Sequence, residues 1–263
     1  ASPLWFIATL LLPEGKTDKR LVQSIFEQLQ SGCSEVGATL VGGHTEITVG
    51  LDRPIAIGTM FGEVSPAQLI RSDGARPGDK LLLTKQIAVE GTALLAREAR
   101  DALQSTLPEA LLERAARFLH EPGISVVRDA ATLIRAGRVH AMHDPTEGGI
   151  ATGLREITEA AGVGALIEAD ALPVYPETRA LCAALQLDPL GLIASGSLLA
   201  AVAAEDADEM VRALQAANIP AKLIGTVRET PGVALHDDTG QHPLPIFARD
   251  EIARFFEDRE DHA

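Results

Sequence analysis

Between residues 138 and 157 the chain changes its hydrophobic period. Arg138-Val139-His140-Ala141-Met142 reads as a short strand, whereas Ile150, Leu154 and Ile157 recur at helical spacing. The intervening His143-Asp144-Pro145-Thr146-Glu147-Gly148-Gly149 must therefore turn a strand into a helix. Two roles fit that turn. The first N–H groups of a helix lack intrahelical partners and the helix dipole favours negative charge, so phosphate would bind there, with Asp144 holding a magnesium ion that neutralises it. Alternatively, Asp144 caps the helix, Pro145 fills its first turn, and the glycine pair lets the chain pass close to a neighbour.

The same alternation runs through the whole chain and predicts a mixed α/β (α+β) fold. Leu4–Leu12 is read as a buried strand, and Thr17 and Asp18 as caps for a helix with Leu21, Val22, Ile25, Phe26 and Leu29 on one face. Strands follow at 39–41 and 55–61, separated by a second glycine-rich turn, Gly42-Gly43-His44-Thr45-Glu46, which either lets backbone approach a ligand closely or is simply a tight hairpin turn. Arg76-Pro77-Gly78-Asp79 punctuates the chain before the apolar run 80–83, placing a domain boundary between 62 and 79. Helices are expected at 88–100, 108–119, 126–136, 177–185 and 207–217, and strands at 165–168, 198–203, 223–227 and 233–236. The tail 250–261 reads as a charged surface helix docking Ile252, Phe255 and Phe256.

A length of 263 residues suits one large or two modest domains. The net charge of −14 argues against a nucleic-acid binder, because phosphate backbones need basic patches. A nucleotide site in so acidic a chain would lean on divalent metal and backbone dipoles. No apolar run approaches the roughly 20 residues of a membrane span. Cys33 and Cys182 form no metal-ligand spacing and are read as free thiols of a cytoplasmic protein.

Several motifs mimic known sites. Gly15-Lys16-Thr17 lacks the earlier P-loop glycine, since Leu10 stands five positions before Gly15. Ser195 has no glycine two residues to its N-terminal side and so is no nucleophile elbow. His44, Glu46, His143 and Asp144 leave a zinc hydrolase open as a lesser alternative, although no two histidines share a helix face at ligand spacing.

Taken in order, Gly42–Glu46, Pro77-Gly78-Asp79-Lys80, His143–Gly149 and Asp188-Pro189-Leu190 with Ala194-Ser195-Gly196 resemble the aminoimidazole ribonucleotide (AIR) synthetase superfamily, the PurM-like proteins, and within it the HypE-like hydrogenase maturation proteins. The resemblance implies a PurM-like two-domain architecture: an N-terminal domain, residues 1–68, lacking its start, and a C-terminal domain, residues 69–263. It also implies that ATP and Mg2+ activate an amide or similar oxygen of a small-molecule or protein acceptor by phosphoryl transfer. Asp144 then corresponds to the magnesium ligand. Gly42, Gly43, His44, Thr45, Thr146, Gly148 and Gly149 become the nucleotide neighbourhood, and Glu46 and His143 the candidate catalytic groups. A homodimer formed by the first domains is implied as well.

Two departures bear on activity. The superfamily's flexible glycine-rich segment and Asn-Asp magnesium motif would precede Ala1, and the chain ends Glu260-Asp261-His262-Ala263 where HypE carries a cysteine tail. A non-catalytic nucleotide-binding or maturation-partner protein is therefore the alternative reading.

Overall fold

The computed structural model describes residues 1–260; the expected tail helix ran to Asp261, which with residues 262–263 lies outside the described residues. The chain forms two compact units, Ala1–Leu69 and Ile70–Ala263. Both mix helices and sheet, as the alternating periodicity predicted.

In the first unit, β1 (Ser2–Pro13) is the central strand, parallel to β2 (Thr39–Thr48) and antiparallel to β3 (Ile55–Glu63). Ala8, Leu10 and Leu12 are buried while Trp5 and Ile7 are exposed, the period of two that a strand with unlike faces requires. Helix α1 (Lys19–Glu35) starts where the Asp18 carboxylate accepts the Leu21 N–H at 2.8 Å. Leu21, Val22, Ile25 and Leu29 are half-buried on its inner face, but Phe26 is exposed.

The reading of Gly42–Glu46 as a turn is corrected by the structure: all five residues lie inside β2. Gly42 pairs with Ile7, Gly43 with Ala8, His44 with Thr9, Thr45 with Leu10 and Glu46 with Leu11, just past a register shift at Phe6/Ile7. The physical reason is close approach rather than reversal. Gly43 has φ +142°, and a β-carbon there would stand 1.9 Å from the Ala8 carbonyl oxygen.

The second unit is built on a seven-stranded sheet in the order β10-β9-β6-β8-β4-β7-β5. Its strands are β4 (Lys80–Thr84), β5 (Val139–His143), β6 (Gly164–Glu168), β7 (Leu199–Val202), β8 (Ala221–Arg228), β9 (Gly232–Asp237) and β10 (Gly240–Pro243). Among the described residues of this unit, only β6 and β9 pair in parallel. The helices are α2 (Val89–Glu98), α3 (Arg100–Leu103), α4 (Glu109–Ala116), α5 (Val127–Ala136), α6 (Gly149–Ala161), α7 (Pro176–Leu185), α8 (Ala207–Ala216) and α9 (Glu251–Glu260). The sequence reading missed β10, whose Gly240-Gln241-His242-Pro243 carries turn residues rather than an apolar pattern, and α3, a single turn.

β4 explains why three consecutive leucines suit this sheet. Leu81 and Leu83 join a core with Ile150, Leu154 and Ile157 of α6, while Leu82 packs with Leu133 of α5 and Met210 and Leu214 of α8. A strand covered on both faces needs apolar residues at every position. A third cluster joins α2, α3, α4 and α7 through Leu95, Leu103, Leu112 and Leu181, with Ile252 and Phe255 of α9 against it. Among the described residues no helix is long and apolar enough to cross a membrane. Cys33 and Cys182 are buried and free.

The Gly43 contact gives a direct test. Gly43→Ala adds a β-carbon against backbone that cannot yield, so it is expected to destabilise the protein by about 2 kcal/mol or more, read as a lower urea midpoint. An unchanged midpoint would show that β1 and β2 do not approach this closely.

Candidate functional site

β5 is an edge strand, and its last residue, His143, pairs with Leu199 of β7 before the chain turns. Pro145 is buried beneath that turn. α6 then begins at Gly149, with Gly148 in the left-handed region as its N-cap and no side chain capping the helix. Asp144 is therefore no cap, and Pro145 does not fill the helix's first turn. That removes the capping part of the plainer reading, while its other part, a glycine pair passing close to a neighbour, holds at Gly149.

The glycine pair differs from the expectation that it offers open N–H groups. Gly148 N–H donates to the Asp250 carboxylate at 2.7 Å, and Gly149 N–H to the Thr146 carbonyl at 3.1 Å. One residue into the helix, Ala151 N–H donates to the Leu190 carbonyl at 3.0 Å. Three amides at this helix start are thus satisfied by protein. A β-carbon on Gly149 would stand 2.5 Å from the Leu190 oxygen and 2.7 Å from the Leu192 oxygen, so this glycine lets the turn slide beneath loop 190–192.

That loop also carries partners for the turn itself. Ala194 N–H donates to the Thr146 carbonyl at 3.2 Å, and the Thr146 hydroxyl to the Asp144 carbonyl at 3.1 Å. Asp250, just before α9, binds Ile252 N–H through its other oxygen at 2.9 Å. Burial pushes the Asp250 carboxyl above the usual range, opposed by the amides it accepts.

Asp144 is exposed to solvent on one side and crowded on the other. That crowding desolvates its carboxyl and pushes the pKa upward; the Gly196 N–H, His143 and Lys85 oppose the shift, and Glu90 adds to it. His143 is paired with Glu156 of α6, whose carboxylate lies 2.7 Å from the ring Nε2. Gly153 makes room for this arrangement, because a β-carbon there would meet Pro145 at 2.9 Å and the His143 ring at 3.1 Å.

In the first unit, register places His44 and Glu46 on one face of β2, their side chains exposed and 3.6 Å apart at the nearest nitrogen and oxygen. Thr45 occupies the opposite face, since successive strand residues alternate. The expected run Gly43-His44-Thr45 therefore cannot present its side chains together.

Lys85, Gly196 and Asp250 were not among the expected site residues. Lys85 closes the apolar run of β4, Gly196 was read only as part of a late motif, and Asp250 only as tail charge. Their partners stand 111 and 102 residues away in sequence for the Lys85–Gly196 and Gly148–Asp250 contacts, where local patterns give no signal.

Among the described residues no three His, Cys, Asp or Glu side chains gather as a metal-binding cluster. Magnesium imposes a smaller demand: one or two carboxylates together with substrate phosphates suffice. The exposed Asp144 carboxylate fits that donor set.

The chain matches the family profile "AIR synthase related protein, C-terminal domain" over residues 76–238 and "AIR synthase related protein, N-terminal domain" over residues 1–64. It is 35% identical over 233 residues to a carbamoyl dehydratase HypE of Cupriavidus necator, covering 87% of this chain and 63% of that protein. A crystal structure of E. coli HypE superposes with a TM-score of 0.82 at 24% identity, covering 97% of this chain and 77% of that one. A structure of the hydrogenase maturation protein HypE in complex with ATP gives 0.74 at 24% identity, covering 95% and 75%. At these identities the superpositions speak to fold alone.

The Asp144 environment predicts a pH-dependent effect. A carboxyl whose folded pKa is raised favours the fold when protonated, and that contribution is lost as pH rises through the folded pKa. Asp144→Asn is therefore expected to raise the thermal midpoint at neutral pH, with the gain vanishing in acid below the ordinary carboxylate range. A gain that persists unchanged into acid would mean that the desolvation is not what shifts this group.

Proposed function

Because this chain belongs to the AIR synthase related family, we propose that it binds ATP with magnesium and activates an oxygen of its acceptor by phosphoryl transfer. The observation that carries this reading is the Asp144 carboxylate: it does not cap α6, it is exposed, and it sits at a strand-to-helix turn braced by hydrogen bonds to Thr146 and Ala194. The chain spans about 63% of the length of the carbamoyl dehydratase relative from Cupriavidus necator, and the activity is offered on that basis.

Phosphoryl transfer asks the protein mainly for positioning and charge neutralisation. Magnesium supplies the neutralising charge when bound, and Asp144 is the residue that would hold it. Thr146 fixes the turn by closing its hydroxyl onto the Asp144 carbonyl. Gly148 and Gly149 act by shape, keeping the turn seated beneath loop 190–192 rather than donating to phosphate. His143 has its Nε2 beside the Glu156 carboxylate, which leaves Nδ1 as the ring nitrogen that would serve as a base. In the first unit, His44 and Glu46 offer an imidazole and a carboxylate on one exposed face, with Gly42 and Gly43 keeping the backbone beside them clear of side chains.

A homodimer through the first unit is part of the same proposal. Register puts Trp5, Ile7, Ile55, Ile57 and Phe61 on one face of the three-stranded sheet, and all five are exposed. An apolar face of this extent suits an interface better than water. Ile57→Lys is expected to shift the protein toward monomer in sedimentation velocity; an unaltered sedimentation coefficient would remove this face from the interface.

For the nucleotide itself, calorimetry with ATP and magnesium should show saturable binding, weakened at least about tenfold by Asp144→Asn. Equal affinity in the two proteins would remove Asp144 from the site, and no binding in either would end the nucleotide reading. Binding without acceptor-stimulated ADP release would identify a nucleotide-binding partner rather than an enzyme.

A further inference from the structure

Lys85 is the least expected residue in the second unit. It directly follows β4 and stands in the left-handed region at φ +53°, a conformation that a side chain bearing a β-carbon adopts at a cost. Its side chain is only 6% exposed. The ammonium donates to the Ser125 carbonyl at 2.7 Å and to the Gly196 carbonyl at 2.7 Å. The Asp129 carboxylate, 2% exposed, lies 3.7 Å away, and its Oδ1 has no hydrogen-bond partner.

This arrangement is an inefficient way to stabilise a fold. Burying two charges costs desolvation energy that a hydrophobic pair would avoid, so the ion pair by itself is a weak stabiliser. What the ammonium holds is more telling. Gly196, at φ +110°, gives its carbonyl to Lys85. Two residues before it, Ala194 N–H donates at 3.2 Å to the carbonyl of Thr146, whose hydroxyl closes onto the Asp144 carbonyl, so the segment that Lys85 holds is hydrogen-bonded to the turn carrying Asp144. The Gly196 N–H also favours the ionised Asp144. A β-carbon at Gly196 would press on Val89 at 3.0 Å and on the Ile124 backbone at 3.1 Å, so only glycine suits this position. Burial pulls the Lys85 pKa down, and Asp129, followed by Asp144, pulls it back toward the charged form.

We propose that Lys85 is a positioning residue for Asp144: its buried ammonium fixes Gly196, and Gly196 in turn aims the Asp144 carboxylate at its ligand. Asp129 is the counter-charge that keeps the ammonium in place. This inference rests on the proposed role of Asp144 in holding magnesium with ATP. A group that orients a metal-binding side chain typically changes affinity about 10- to 100-fold when removed.

The test separates orientation from folding. Lys85→Met leaves the buried Asp129 without its counter-charge and is expected to lower the thermal midpoint; Lys85→Met/Asp129→Asn removes both charges and should recover most of it. Magnesium-ATP affinity of the double variant, measured by calorimetry on the full chain, should nevertheless stay about 10- to 100-fold below wild type. Adding both changes to Asp144→Asn should produce no further loss, since Lys85 acts through Asp144. Amide exchange without metal or nucleotide should quicken at residues 195–198 in the double variant while β4 and β8 keep their protection. Recovery of both midpoint and affinity, or unchanged exchange at 195–198, would overturn the proposal and leave Lys85 a structural residue. Absence of ATP binding in wild type would instead defeat the nucleotide reading, and the exchange result alone would then decide whether Lys85 orders Gly196.

Discussion

The second unit's candidate site depends on one close approach, that of Gly149 to the carbonyl groups of Leu190 and Leu192. No residue with a side chain can occupy that position without moving the loop. Once the turn slides beneath loop 190–192, the remaining contacts follow: Ala194 reaches the Thr146 carbonyl, Ala151 reaches Leu190, and Gly196 arrives beside the Asp144 carboxylate. The hydrogen bonds are ordinary in strength. Their geometry is set by the sterics of a missing β-carbon, which is a harder constraint than any single bond of about 1 kcal/mol.

Two opposing demands meet at Asp144. The fold would be more comfortable with a neutral group, because partial desolvation disfavours the carboxylate. A cation ligand must be that carboxylate. Such tension between stability and chemistry is common at functional sites, where residues are kept for what they bind and not for what they add to the fold. Leu81, Leu82 and Leu83 illustrate the opposite case, three fully buried side chains with no polar atoms and no competing demand.

What could be read from the sequence follows the range of the forces involved. The strand-to-helix switch at 138–157 was legible because periodicity is a local property, and so were the leucine run of β4 and the Asp18 cap of α1. Gly42-Gly43 was misread because a glycine pair signals either a reversal or a close approach, and only the partner strand distinguishes them; here Ala8 decides the matter. Lys85 and Asp250 were invisible for a related reason. A lysine closing a strand and an aspartate in a charged tail look solvated until a distant carbonyl or amide comes to meet them. The glycines of the second motif were found, but their N–H groups were assigned to a ligand when the protein itself had taken them.

The bond between Gly148 and Asp250 has a temporal consequence. Gly148 leaves the ribosome 102 residues before its partner. At the roughly 5–20 residues per second of synthesis, several seconds pass during which the sheet can form around β4 and β5 while the turn lacks its last brace. Asp250 is thus synthesised after every other residue named around Asp144, and a nascent chain stalled before that point would carry the carboxylate on an unfinished support.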